Sequence, residues 1–191
     1  MIFCVLWFIG ELIYYGINFG IKDLSGSIFI NSMIVFSAEI LAYIGSGILA
    51  DWIGRKSTMI LGFLLIAGFG VLYVILVAHW AIGGYVTLLF VKLGASTVLS
   101  MDYLLLAELF PTSVKGTVMG ITNFFARLGC IMAPFVGGFF GTWSLLIYAF
   151  MSVGCGVFSL QLSETKGQSM KQTLADMVDD PSQYGLSTLT K

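Results

Sequence analysis

Arg127, Glu39 and Asp102 are charged residues set deep inside long apolar stretches of this chain. Charge at such a position is costly and marks recognition of an ion, a proton or an opposite charge. The Arg127 guanidinium stays charged and grips a carboxylate or sulfate through two parallel hydrogen bonds. Asn123, one helical turn earlier, can share its face. Asp102 can hold a cation or a proton. Tyr43 and Tyr103, with Tyr14, Tyr15, Phe124 and Phe125, can supply an aromatic wall, although plain packing explains them equally well. The alternative for Arg127 is a structural one, in which it neutralises Glu39 or Asp102 within the bundle. Catalysis has no comparable footing. The one His and the three scattered Cys (Cys4, Cys130, Cys155) form neither a zinc site nor a disulfide framework. No enzyme, metal or cofactor is expected.

A second group of charged residues gathers in three short strings, at Ala50–Lys56, Ala107–Gly116 and Ser163–Gly167. Asp51 can accept hydrogen bonds from a helix N-terminus or pair with a cation. Gly54 permits a tight turn, and Arg55 offers a forked donor to carboxylates. Glu108 and Glu164 are the natural acceptors, and Lys115 adds a positive charge. Ordinary interfacial charge, serving only to orient the chain, is the other explanation.

The elements that position these groups follow from composition. Of the 191 residues 58% are hydrophobic and only 10% charged, against about a quarter charged in soluble domains, and the mean hydropathy is +0.98. The net charge of -1 gives no sign of nucleic acid as a partner. Six apolar blocks appear, over about 1–20, 28–50, 58–78, 85–109, 117–140 and 145–162. A helix needs about 20 such residues to cross the hydrocarbon core, so most blocks suffice and the last is slightly short. Backbone polar groups in lipid must pair within their own segment, which selects helices over strands. The expected fold is an all-α membrane bundle of six transmembrane helices over 1–168, with a polar tail over 169–191.

Charge asymmetry orients the bundle. Arg55, Lys56, Lys115, Lys166, Lys171 and Lys191 fall on one side, and Lys22 on the other. The positive-inside rule places the loops at 51–56 and 111–116 and the tail in the cytoplasm. Counting from the charged strings at about 1.5 Å per residue puts Arg127, Glu39 and Asp102 about 14–18 Å deep, in one layer. The same count carries Lys92 about 28 Å from Pro111, where it is expected to snorkel to the outer interface. Glu11 lies near mid-depth with its register open. Gly16/Gly20, Gly116/Gly120 and Gly137/Gly141 are GxxxG pairs that suit close helix packing or sliding contacts.

These residues carry a family resemblance. Asp51, Gly54, Arg55 and Lys56 are similar to a cytoplasmic loop motif of the major facilitator superfamily. The string from Ala107 to Pro111 with Lys115 and Gly116 is similar to the loop two helices later. Glu164 to Gly167 is similar to the string after the last helix, with Ser163 where the family has proline. More narrowly, Tyr14–Gly16, Leu24–Asn31, Glu39–Tyr43 and Ala126–Phe135 resemble the organic cation/anion/carnitine transporter family. The match runs from about residue 4 to about residue 170.

The resemblance implies the C-terminal six-helix half of a twelve-helix carrier that moves a small organic ion across a lipid bilayer by alternating access. The plasma membrane is the implied location. The other half would be a missing N-terminal six-helix segment or a second chain. Asp51, Arg55, Glu108 and Glu164 would form a latch holding one conformation. Arg127 stands where the family's anion carriers often have Arg and its cation carriers Asp, which implies anions. A sugar or polyol porter and a truncated, non-transporting regulatory half are the alternatives.

Overall fold

The computed structural model describes residues 2–21, 27–162 and 164–166. Within them the chain forms α1 (Ile2–Gly20), α2 (Ile28–Ile53), α3 (Arg55–Val77), α4 (Ala81–Leu109), α5 (Thr112–Phe140) and α6 (Ser144–Ser159). No strand occurs among the described residues. Each of α1 to α4 is long and apolar enough to cross a membrane, as is the stretch Thr112–Ser159. That last stretch is divided into α5 and α6 by a 3-10 turn over Gly141–Trp143. Gly141 adopts φ 51° there, a left-handed conformation that favours glycine. The protein is therefore an all-helical multi-pass membrane protein. The polar tail over 169–191 lies outside the described residues, as do Lys22 and Asp23.

The helices do not all share one length. α4 and α5 have 29 residues each, about 43 Å at 1.5 Å per residue, longer than the roughly 30 Å hydrocarbon core. α6 has 16, shorter than its apolar block. α3 packs on α4 and α6, α1 on α5, α4 and α6, and α2 on α4 and α3. Leu6, Ile13, Met59, Phe63, Val91, Leu105 and Tyr148 fill the shared core. Association here depends on shape, because lipid tails are as apolar as the side chains.

Glycines set the closest helix approaches, though mostly not those paired in GxxxG. A Cβ on Gly62 would meet the Gly94 carbonyl oxygen at 3.1 Å, and one on Gly94 the Gly62 oxygen at 2.7 Å. Gly129 of α5 lies against the Phe8 backbone of α1, and Gly16 against the Tyr148 ring. Gly20, Gly116, Gly120 and Gly137 face open space. A small-residue strip tightens a contact only where a helix lies opposite, and these four have none in this bundle. Large apolar residues such as Phe29, Met33, Trp52, Phe139 and Phe150 point outward, as a surface in contact with lipid or another bundle requires.

Candidate functional site

One end of the bundle is tied together by charge. α2 stops at Ile53 and α3 starts at Arg55, so Gly54 alone makes the turn, with φ 103°. A Cβ on Gly54 would lie 2.5 Å from Glu164 Oε2, so both conformation and space call for glycine. The Arg55 backbone N–H donates to Glu164 Oε1 at 2.8 Å. That carboxylate sits at the positive end of α3 and satisfies a donor the helix itself leaves unpaired. The Arg55 side chain donates from Nε to Glu108 Oε1 at 3.2 Å, reaches Asp51 Oδ1 at 3.3 Å, and donates from Nη1 to the Ala50 carbonyl at 3.2 Å. Thr165 Oγ1 donates to the other oxygen of Glu108. Lys56 Nζ donates to the Leu160 carbonyl at 2.6 Å and Lys166 Nζ to that of Trp52. The α2–α3 turn, the end of α4 and the segment after α6 thus meet at one residue, Arg55. Lys115 is half-buried and joins no ion pair among the described residues.

A second polar assembly sits within the bundle, centred on Lys92. The depth count placed this side chain at an interface; the structure buries it completely. Its ammonium lies 3.1 Å from Glu39 Oε2, donates to Asn18 Oδ1 at 2.8 Å, and stands 3.5 Å from the centre of the Tyr14 ring. Glu39 Oε1 accepts from Tyr14 at 2.5 Å and Tyr43 at 2.9 Å. The count went astray because it started from Pro111 alone. Measured from the other end of α4 at Ala81, Lys92 is about 16 Å in. There a carboxylate, an amide and an aromatic face take the place of water, and the buried cation needs no route to the surface.

Beside this cluster opens a hollow of about 210 Å³, into which Arg127 and Glu11 bring charge. Tyr14, Tyr15, Tyr43 and Tyr103 form its aromatic wall. α5 carries Arg127, and the Gly129 contact holds α5 against α1, which carries Glu11, Tyr14 and Tyr15. Arg127 is exposed, and no carboxylate among the described residues forms an ion pair with it. A guanidinium so placed can bind an anion without first breaking an internal pair. Another hollow, of about 260 Å³, bordered by Gly16, Tyr73, Tyr85 and Tyr148, has no acidic or basic side chain in its lining.

The residues singled out in the sequence divide accordingly. Arg127, Tyr43 and Tyr103 line the charged hollow. Glu39 is one hydrogen bond behind it, held by Tyr14 and Tyr43. Asn123 bonds back to the Met119 carbonyl at 3.0 Å and Asp102 is buried; neither lines the hollow. Sequence reasoning missed Lys92 as a partner of Glu39 and did not assign Asn18 or Thr165. For Lys92 the signal was available, since a buried acid and a buried base at similar helix depths are natural partners.

Residues 2–177 match the family model of the Major Facilitator Superfamily. The chain is 32% identical over 188 residues to solute carrier family 22 member 15 of Xenopus tropicalis, covering 92% of this chain and 35% of that protein. It is 32% identical to human solute carrier family 22 member 13, over 93% of this chain and 32% of the relative. An organic cation transporter-like protein of Drosophila melanogaster is 31% identical, over 89% of this chain and 30% of its own length. The chain therefore spans about a third of the length of these relatives.

Proposed function

Because this chain belongs to the major facilitator superfamily, we propose that it is one six-helix half of a secondary transporter for small organic ions, with anions favoured. The observation that carries the sign is Arg127, a guanidinium bordering an aromatic hollow and held in no carboxylate ion pair among the described residues. Of the other two candidate charges for solute, Glu39 is already engaged by Lys92, Tyr14 and Tyr43, and Asp102 is buried. Relatives named as solute carriers and as an organic cation transporter-like protein support organic ions as the class.

Transport proceeds by alternating access between this bundle and a second six-helix bundle, from the same polypeptide or another chain. Solute sites in such carriers lie at the midplane between the two halves, and the exposed face of α5 bearing Arg127, Phe124 and Phe135 suits that junction. The Arg55 assembly is the latch: two conformations differ in whether Asp51, Glu108 and Glu164 converge on it. Its face lies in the cytoplasm of a cell whose plasma membrane holds the carrier.

Uptake measurements on the assembled carrier test the sign. Loss of a desolvated charge-assisted pair costs about 2–5 kcal/mol, so Arg127→Asp is expected to weaken organic-anion uptake about thirtyfold or more. Arg127→Lys is expected to keep partial activity, since the charge stays while the fork is lost. Uptake of tetraalkylammonium dyes by the unaltered carrier, abolished by Glu39→Gln, would overturn the assignment.

A further inference from the structure

The mechanism above leaves two buried carboxyls unused. Asp102 of α4 is 1% exposed and Glu11 of α1 5% exposed. Both oxygens of Asp102 and Oε2 of Glu11 lack a hydrogen-bond partner among the described residues. Asp102 Oδ2 presses on α1 at the residue before Glu11, lying 3.3 Å from where a Cβ on Gly10 would be. The two acids are within electrostatic reach of each other, and Glu11 also borders the hollow that Arg127 enters.

We propose that Glu11, in the wall of the solute hollow, and Asp102, buried behind it, form a proton-binding pair, and that solute movement is coupled to this proton. The proposal rests on the carrier reading and adds its coupling ion. An ionised carboxylate taken out of water without a donor or counter-charge is strongly disfavoured, and a like charge nearby adds to the cost. Arg127 lies within electrostatic reach of Glu11 but no cation among the described residues answers Asp102, so a further cation must accompany the pair. A metal ion needs several oxygen ligands, and no group of three acidic, His or Cys side chains suited to one exists among the described residues. A proton needs only one oxygen.

The surroundings set the consequence. Facing the pair are Tyr103 on α4 itself, Tyr43 on α2, Arg127 and Cys130 on α5, and Cys155 on α6. α3, which also packs on α4, turns Tyr73 into the other hollow. Arg127 is the one cation in this set. With the pair ionised, the negative charge of Glu11 offsets part of the attraction Arg127 exerts on an incoming anion. A proton passed from water to the pair removes that offset and leaves the full charge of Arg127 to the solute. Anion and proton then bind together and move in the same direction.

Infrared difference spectroscopy on the chain in lipid nanodiscs tests the proton without any transport. The carbonyl band of a protonated carboxylic acid, shifted by deuterium exchange, is expected near neutral pH. Asp102→Asn or Asp102→Leu should remove or displace it, and Glu39→Gln should leave it in place. Absence of the band in the unaltered chain overturns the proton site and leaves the carrier reading standing. In the assembled carrier, anion uptake should rise as external pH falls, and Asp102→Asn should lose that dependence. A pH dependence that survives Asp102→Asn overturns the coupling, whereas failure to move any organic ion counts against the carrier reading instead.

Discussion

Lys92→Met is the sharpest probe of how this bundle is held together. Its ammonium is fully buried, 3.1 Å from a Glu39 carboxylate that is itself only 13% exposed, and it joins α4 to α2 and, through Asn18 and Tyr14, to α1. Methionine nearly preserves the volume, so the loss is electrical. Removing one member of a buried pair leaves the other uncompensated and costs about 3–5 kcal/mol. Two phenolic donors remain on Glu39, which places the expected cost at the lower end, about 3 kcal/mol. At about 2–4 °C per kcal/mol for chains of this length, the melting midpoint falls by on the order of 10 °C. Glu39→Gln alone should cost a similar amount by stranding Lys92. The double variant should be more stable than either single change implies, because a neutral pair of like shape needs no compensation. Thermal melts of the four proteins in one detergent, followed by circular dichroism, give the coupling energy. A coupling below about 0.5 kcal/mol, the usual error of additivity, would refute the pair as a structural tie.

Two further outcomes follow from glycine positions. Gly54→Ala forces a side chain into a left-handed backbone and onto Glu164, so it should release the Arg55 assembly; accessibility of a cysteine placed at the buried Leu162 to a water-soluble thiol reagent should rise, while helix content stays constant. Gly129→Ala pushes α5 off the Phe8 backbone of α1; its melting midpoint should fall by several degrees, given the roughly 1–3 kcal/mol typical of overpacking, whereas Gly120→Ala, facing open space, should change it little.

Much of the architecture was legible in the chain because one-dimensional signals suffice for it. Apolar length defines a membrane helix, since lipid leaves the backbone no partner outside its own segment. The charged strings that close every second helix, with Gly54 between α2 and α3, were likewise visible as local pattern, and so was the family. Arg127, Tyr43 and Tyr103 could be singled out because a charge or an aromatic cluster within an apolar block needs a reason wherever it points.

What tertiary structure alone decided is which of these groups meet. Glu39 was in view, yet its partner lay 53 positions later in the chain, and only the packing of α2 against α4 brings Lys92 to it. Glu11 and Arg127 border one hollow because Gly129 lets α5 lie against α1. Asp102 sits at the same general depth as Arg127 but is turned into the bundle, away from that hollow. Depth along a helix follows from counting residues at a fixed rise. The azimuth at which a residue faces its neighbours depends on how every helix packs, and it is azimuth that separates a side chain facing solute from one holding the bundle together.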